Sequence, residues 1–232
     1  MKTTIVLLSG GQDSTTCLLA TLAMPNVNPS DILALAFDYG QKHKVELGFA
    51  ETNAKKLGVD FKVMDIKGLL GGSSLTDHEI DSNEAHSVNS ALPASFTAGR
   101  NALFLTIAGA YGYGIGANTI VTGVCQTDYS GYPDCRQDFI TSQRETLQLA
   151  MDNPKFSIKT PLMYLTKAET WKLAKDAGET LGIDGVAFIK ERTLTDYNGD
   201  MTPNEWGFGK LDNPASELRA KGYYEAVELG LI

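Results

Sequence analysis

Alternating apolar and polar stretches divide the chain into strand-like and helix-like segments. Four short runs rich in apolar residues predict strands, at residues 3–8, 32–37, 61–66 and 119–124. Helical spacing of apolar residues predicts helices at 13–23, 46–57 and 101–113. Because strands and helices alternate, the pattern predicts an α/β fold with a doubly wound parallel sheet and right-handed crossovers.

The second half of the chain is less regular, with helices predicted at 137–151, 167–177 and 214–229. Residues 68–98 are rich in Gly, Ser, Asn and Asp and show little periodicity. A loop of this length is typical of a functional lid or of a disordered segment, and we favour the lid. The pattern predicts a main domain at 1–190 and a small C-terminal lobe at 191–232.

Charge and composition narrow the class of partner. A formal net charge of -8 argues against a large basic surface, so we expect a small-molecule substrate and no nucleic acid. No stretch approaches the roughly 20 apolar residues of a membrane-spanning helix, and the apolar N-terminal run is too short for a signal peptide. A cytoplasmic protein without a membrane partner is expected. The three cysteines and three histidines show no metal-ligand spacing.

Residues 9–14, with the sequence SGGQDS, follow the first predicted strand and open the first predicted helix. Backbone N–H groups at a helix N-terminus form an anion site, and paired glycines let the backbone wrap a pyrophosphate closely. Asp13 is suited to cap the helix or, through water, to help hold Mg²⁺. Nucleotide contacts are predicted for Leu8, Ser9, Gly10, Gly11, Gln12, Asp13, Ser14 and Thr15.

Other glycine motifs do not fit nucleotide binding. The Walker A pattern is absent from the sequence, and so is the Rossmann GxGxxG pattern. Gly112, Gly114 and Gly116 fall within or just after a predicted helix, where close helix packing is the better interpretation. The SGGQDS loop instead resembles the signature of PP-loop ATP pyrophosphatases.

This resemblance implies an enzyme that cleaves ATP between its α and β phosphates and transfers AMP to its substrate. The pyrophosphate would stay in the loop, and the fold would be of the adenine nucleotide α-hydrolase type, with ATP across the carboxyl ends of the strands. Asp38, after the second strand, is placed to reach the nucleotide or to cap a helix. ATP and Mg²⁺ are the implied cofactors.

Several further segments resemble the 7-cyano-7-deazaguanine synthase family. They read FDYGQKH at 37–43, GRN at 99–101, TGVCQTDYSGYPDCR at 122–136, and TPL followed by LTKAE at 160–169. The run DYSGYPDCR is the most specific of them. The resemblance adds Gly123 to the nucleotide contacts.

The same run offers groups suited to a purine-like acid. Asp128 and Asp134 would accept hydrogen bonds from ring N–H and amine groups, and Tyr129 and Tyr132 offer stacking faces. Arg136 is suited to pair with a carboxylate or a phosphate. The alternative is a polar loop that only links a strand to a helix.

Two cations at predicted helix starts, Arg100 and Lys167, are suited to neutralise phosphate charge as an adenylate forms, unless they are ordinary surface residues. The family resemblance implies conversion of 7-carboxy-7-deazaguanine, ammonia and ATP to the nitrile. The intermediates would be an acyl adenylate, an amide and an adenylated amide. Ammonia is the nucleophile, so neither Cys17 nor Cys135 is assigned a covalent role.

The C-terminal segment departs from this family, whose members carry four zinc-binding cysteines there. Asp196, Phe208, Leu211 and Ser216 stand at those positions. We therefore expect no zinc, and an apolar core formed by Trp206, Phe208 and Leu211 in its place.

Because the lobe lacks the cysteines of the family, the sequence does not determine the product of the reaction. The chain either makes the nitrile, stops at the amide, or transfers the acyl group to another amine, such as a protein amino group. A nucleotide-binding module without turnover is a further alternative, which the intact loop, Arg100 and Lys167 oppose. A homodimer and a protein acceptor are partner states that the sequence leaves open.

Overall fold

The structure is a computed structural model that describes residues 2–42, 44–77, 79–81, 84–127 and 131–232. Four residues considered above lie outside the described residues: His43, His78, Asp128 and Tyr129.

Five parallel strands form the main sheet. They are β1 Thr4–Leu7, β2 Ile32–Asp38, β3 Asp60–Asp65, β4 Thr119–Val121 and β5 Ser157–Lys159. Their order across the sheet is β3-β2-β1-β4-β5. A short antiparallel hairpin, β6 Pro203–Asn204 and β7 Gly207–Phe208, lies in the C-terminal lobe.

The described chain also forms a set of helices that connect and cover the strands. They are α1 Gln12–Leu22, α2 Val45–Lys56, α3 Arg100–Ile115, α4 Gln137–Ala150, α5 Lys167–Leu181, α6 Gly185–Arg192 and α7 Pro214–Glu228. The predicted helices agree with these to within a few residues, whereas α6, β5 and the hairpin were not predicted. Within the described ranges, no helix combines the length and apolar character that crossing a membrane requires.

Helices cover both faces of the inner strands, as a doubly wound fold requires, whereas the edge strand β3 is largely exposed. On β1, Ile5 joins the apolar cluster beneath α3 and α4, which includes Leu105. The next residue, Val6, points to the opposite face and joins the cluster beneath α1 and α2, which includes Leu18. The alternation of strands and helices therefore correctly predicted the α/β class and the parallel sheet.

The strand order creates a crevice between β1 and β4. The chain proceeds from β1 outward to β3 and then returns to place β4 on the other side of β1. At such a switch point the loops after the two strands diverge, and ligands bind at the carboxyl ends. Here the two loops meet closely: a Cβ on Gly123 would lie 3.1 Å from the backbone nitrogen of Ser14.

The glycines of α3 serve packing at one position and helix termination at another. A Cβ on Gly112 would lie 3.1 Å from Cδ1 of Ile5, so this glycine allows the helix to approach the sheet. Gly116 adopts a φ of 84° and ends the helix. A Cβ on Gly114 would meet nothing within 4 Å, so the packing interpretation was wrong for this residue.

Helix α7 of the C-terminal lobe shares one apolar cluster with α1, α5 and α6, centred on the fully buried Trp171 of α5. Trp206 is buried as expected, and the Phe208 ring lies 6.1 Å from that of Phe49. Leu211, however, is 60% exposed, so its assignment to an apolar substitute core was wrong.

A buried carboxylate organises the lobe where the apolar core was expected. Asp196 is 6% exposed and accepts hydrogen bonds from two side chains and three backbone N–H groups. The donors are Ser216 Oγ at 2.7 Å, Asn213 Nδ2 at 2.8 Å, and the amides of Asn198 at 2.7 Å, Asp200 at 3.2 Å and Lys210 at 3.2 Å. This network ties the segment after α6 to the start of α7. Among the described residues no group of three or more His, Cys, Asp or Glu could hold a metal ion.

Asp196→Ala is expected to lower the free energy of unfolding by about 3 kcal/mol at pH 7, because it leaves buried donors without their acceptor. Glu205→Ala, an exposed carboxylate of the same lobe, is the control and should change stability by less than about 0.5 kcal/mol. Urea denaturation of the three proteins measures the difference.

The contribution of Asp196 to the free energy of unfolding is expected to depend on pH. Although burial alone would raise it, the pKa of Asp196 is held below its usual value by hydrogen bonds from Ser216 and Asn213. The carboxylate therefore stabilises the fold above the unfolded pKa of about 3.9, and this contribution is lost as the pH falls through the lower folded pKa. The stability gap between the wild type and Asp196→Ala should shrink below about pH 4. A gap that stays constant into acid would contradict the role assigned to the carboxylate.

Candidate active site

A cavity of about 330 Å³ opens at the carboxyl ends of β1, β2 and β4, at the switch point of the sheet. The SGGQDS loop forms one wall, and the starts of α2, α3 and α5 form others. The C-terminal lobe closes a further side with Thr195, Tyr197 and Arg219. The cavity therefore joins both parts of the chain.

The loop after β1 is tight because Gly10 passes directly under α2. Gly10 has a φ of +92°, and a Cβ there would lie 2.0 Å from the carbonyl oxygen of Glu46. Across the turn, the amide of Ser9 donates to Ser14 Oγ at 3.2 Å, and the two hydroxyls lie 3.1 Å apart. The amide of Gly11 donates to Ser9 Oγ at 3.3 Å. This is the close backbone turn that a pyrophosphate site requires.

Gln12 and Thr15 are buried at the start of α1, and Leu8 is buried at the end of the strand before it. Gln12 lines the cavity, and its side-chain amide has no hydrogen-bond partner among the described residues. Thr15 does not line the cavity, whereas Leu8 and Gly123 do.

Asp13 and Lys167 form an ion pair beside the loop. Lys167 Nζ lies 3.0 Å from both carboxylate oxygens of Asp13, and its side chain is only 9% exposed. Gly222 of α7 leaves the space that the lysine stem occupies, since a Cβ there would lie 2.4 Å from Lys167 Cγ. Gly11 is the N-cap of α1 and no side chain caps it, so the cap role considered for Asp13 was wrong.

Arg100, the first residue of α3, also lines the cavity. Its guanidinium lies 5.9 Å from the centre of the Tyr39 ring. Burial alone would lower the pKa of Arg100, but the nearby Tyr39, Tyr132 and Tyr197 raise it, so the group is a permanent cation. The structure thus brings together both residues predicted to neutralise phosphate charge.

Asp38 does not line the cavity; its neighbours Phe37 and Tyr39 do. Its carboxylate pairs with Lys44 at 2.8 Å and Lys67 at 3.1 Å. Burial opposes ionisation, yet these hydrogen bonds hold the pKa of Asp38 below its usual value. In this structure Asp38 is an ion-pair partner of two lysines, and its contact with the nucleotide stays a prediction.

Five residues of the DYSGYPDCR run were predicted to bind the substrate, and of the three that the structure describes one lines the cavity. Tyr132 is buried, lines the cavity, and donates to Ser95 Oγ at 2.7 Å. Asp134 lies outside the cavity lining and accepts from the Asn101 amide at 3.1 Å, which fixes the start of α3. Arg136 is exposed, precedes α4 and also lies outside the cavity lining. Substrate binding by Asp134 and Arg136 stays a prediction.

The long segment 68–98 lies against this wall. It contributes Leu75 to the cavity, and Ser73 and Thr97 near its two ends are joined by a 2.6 Å hydrogen bond. Its action as a lid stays a prediction.

The C-terminal lobe also contacts the SGGQDS loop through a hydrogen bond. Thr195 Oγ1 accepts hydrogen bonds from the backbone N–H of Gln12 at 3.2 Å and from Arg219 Nη1 at 3.1 Å. Arg219 is fully buried and otherwise donates to backbone carbonyls, and burial lowers its pKa to about 10. Sequence patterns could not reveal this contact, because 183 positions separate Gln12 from Thr195.

A second missed residue is Glu46, in the first turn of α2. It lines the cavity, and Gln41 Nε2 donates to its Oε1 at 3.3 Å. Burial raises the pKa of Glu46 to about 7, against the opposing effects of Gln41 and Arg100. The sequence offered only a carboxylate shortly after the second strand as a signal.

A glycine loop at the switch point of a parallel sheet, flanked by a buried cation, defines a nucleotide-binding α/β protein of the PP-loop type. Comparison with protein families narrows this class. The family model described as "Queuosine biosynthesis protein QueC" matches residues 3–227, and the chain belongs to that family. It is accordingly an ATP-using enzyme of the PP-loop superfamily.

Solved structures of other proteins resemble the chain only distantly. One is the U34-tRNA thiolase NcsA from Methanococcus maripaludis with its 4Fe–4S cluster, at 16% identity and a TM-score of 0.46, covering 99% of this chain and 70% of the thiolase. Another is a predicted subunit of tRNA methyltransferase from Methanocaldococcus jannaschii, at 20% identity and a TM-score of 0.42, covering 71% of this chain and 70% of the other.

Proposed function

We propose that the protein converts 7-carboxy-7-deazaguanine, ammonia and ATP to 7-cyano-7-deazaguanine, with AMP and pyrophosphate as by-products. The observation that carries this proposal is the cavity in which the SGGQDS loop meets Lys167 and Arg100. Membership in the QueC family favours the deazaguanine acid as the substrate.

The loop would hold the β and γ phosphates of ATP through backbone N–H groups and the hydroxyls of Ser9 and Ser14. Asp13 lines the cavity with carboxylate oxygens, the ligand type that Mg²⁺ prefers, and would hold that ion through water. When bound, Mg²⁺ would neutralise phosphate charge. Zinc is not required in this proposal.

Lys167 and Arg100 would stabilise the charge that develops on the α phosphate as it is attacked. Phe37, Phe104 and Tyr39 form an aromatic wall in which Phe37 and Phe104 stack with ring centroids 4.3 Å apart. Tyr132 also lines the cavity. These faces suit a planar deazapurine ring.

The reaction needs no covalent enzyme intermediate. A carboxylate oxygen of the substrate attacks the α phosphorus and pyrophosphate leaves, which gives the acyl adenylate. Ammonia attacks the carbonyl carbon, and AMP leaves with the electrons of the broken C–O bond. The amide oxygen then attacks the α phosphorus of a second ATP and a second pyrophosphate leaves. Loss of AMP and protons from the adenylated amide gives the nitrile. Catalysis rests on positioning and on electrostatic stabilisation.

A second candidate keeps the adenylation but ends at the amide, or passes the acyl group to another amine such as a protein amino group. It is favoured by the cysteine-free lobe, which forms one side of the cavity through Thr195 and Tyr197. A surface that differs from the family pattern at this position would alter which acceptor reaches the adenylate.

Mass spectrometry of a reaction containing the protein, 7-carboxy-7-deazaguanine, ammonium and Mg-ATP decides between these candidates. We expect nitrile with about two AMP per product, formed without added zinc and unaffected by a chelator selective for zinc over Mg²⁺. Amide with one AMP per product would support the truncated reaction. AMP formation with no small-molecule product would point to another acceptor.

A further inference from the structure

Of the carboxylates that line the cavity, Asp13 has a role in the proposed reaction and Asp196 is engaged in the hydrogen-bond network of the lobe, which leaves Glu46. Glu46 lies in the first turn of α2, and its backbone carbonyl oxygen faces Gly10 of the loop. Its side chain lines the cavity together with Arg100 and Lys167. Among the described residues it has a single hydrogen-bond partner, Gln41, on Oε1.

Gln41 is itself fixed by the turn after β2. Its Nε2 also donates to the carbonyl of Phe37 at 3.2 Å, and its Oε1 accepts from the Tyr39 amide at 3.0 Å. The amide therefore orients one oxygen of Glu46, and the second oxygen has no hydrogen bond to the described residues. Asp38 is the contrast, since Lys44 and Lys67 pair with its carboxylate away from the cavity.

We infer that Glu46 is the proton acceptor for the ammonia nucleophile, an inference that rests on the proposed function. The ammonium ion transfers one proton to the Glu46 carboxylate. The freed ammonia attacks the carbonyl carbon of the acyl adenylate, the C–O bond to AMP breaks, and AMP leaves with that electron pair. The proton then passes to solvent, and the second proton lost from nitrogen takes the same route, which gives neutral amide.

The charges around Glu46 suit this exchange. Burial raises its pKa to about 7, while the hydrogen bond from Gln41 and the positive charge of Arg100 act in the opposite direction. Tyr39 also interacts electrostatically with Glu46 and with Arg100. An acid with a pKa near the working pH both takes and releases protons readily, and such groups contribute about 10²- to 10⁴-fold to rate.

Glu46→Gln tests the inference because it keeps size and hydrogen bonding but removes the base. Glu51→Gln is the matched control, an exposed glutamate on the same helix. Three rates are measured at pH 7: acid-dependent exchange of pyrophosphate into ATP, amide or nitrile formation from ammonium, and hydroxamate formation from hydroxylamine. Hydroxylamine is largely unprotonated at neutral pH, so its attack does not need the first proton transfer.

We expect Glu46→Gln to keep pyrophosphate exchange and hydroxamate formation within about threefold, and to lose ammonium-dependent product by about 100-fold at pH 7. This loss should shrink as the pH rises and free ammonia accumulates. Glu51→Gln should match the wild type in all three rates.

Equal losses in all three rates would overturn the inference and make Glu46 a substrate-binding or structural group. An ammonium rate close to that of the wild type would also overturn it. Absence of acid-dependent exchange in the wild type would refute the proposed function itself, and the inference with it.

Discussion

Gly10→Ala should lower ATP-dependent turnover by at least about 100-fold, because a displacement near 1 Å at a phosphate site costs roughly that factor. The new Cβ would lie 2.0 Å from the Glu46 carbonyl oxygen and 3.0 Å from the backbone nitrogen of Ala50. Both contacts are backbone atoms of α2, so the loop or the helix must move. We also expect a loss of about 3 kcal/mol in the free energy of unfolding, from overpacking and from the φ of +92°.

Gly58→Ala is the control that separates the effect of backbone strain at a positive φ from the effect of displacing the loop. Gly58 has a φ of +70°, but a Cβ there would contact only Pro29, at 3.8 Å. It should lower stability by about 1–2 kcal/mol and leave the acid-dependent exchange of pyrophosphate unchanged. If Gly10→Ala were as active per folded molecule as Gly58→Ala, the loop would not be the phosphate site.

Lys167→Met should lower kcat/KM for AMP formation by about 10²- to 10³-fold, the usual effect of removing one donor to transition-state charge. Methionine fills the space of the lysine stem but leaves Asp13 without the cation that lies 3.0 Å from both of its oxygens. Steady-state kinetics with 7-carboxy-7-deazaguanine give the measurement. The loss should appear in kcat, because the charge develops in the transition state.

Two further variants make this test specific. Lys172→Met changes an exposed lysine of the same helix, paired with Asp176, and should leave activity unchanged and stability within about 0.5 kcal/mol. Asp13→Asn combined with Lys167→Met should be less active than Lys167→Met alone, because Asp13 would also hold Mg²⁺, but the two losses should not simply multiply, because the residues are in contact. Full activity in Lys167→Met would remove this lysine from the mechanism.

The fold was predictable from the sequence because local patterns carry it. Both faces of β1 are buried, so its run of apolar residues and the helices that flank it indicate a doubly wound sheet. The loop was equally visible, since strand, glycines and helix start are contiguous. The strand β5 was missed because its three residues include only one apolar side chain, whereas β4, equally short, lies in a longer apolar run.

Much of the site was not predictable, because it depends on where separate elements meet. Asp134 and Arg136 belong to a distinctive motif, yet the first supports the start of α3 and the second is exposed. Glu46 and Arg219 show no local signal, and only the packing of α2 and α7 brings them to the loop. The assignment of Leu211 to an apolar core was wrong because a polar network can also take the place of a zinc site, and here that network is centred on Asp196.

The central claim, that the enzyme adenylates a carboxylate, is tested most directly by isotope transfer. The protein is given 7-carboxy-7-deazaguanine with an ¹⁸O-labelled carboxyl group, ammonium and Mg-ATP, and the AMP is analysed by mass spectrometry. We predict AMP that carries one ¹⁸O atom, because the carboxyl oxygen that attacks the α phosphorus leaves with AMP. Unlabelled AMP, or ADP in its place, would contradict the account.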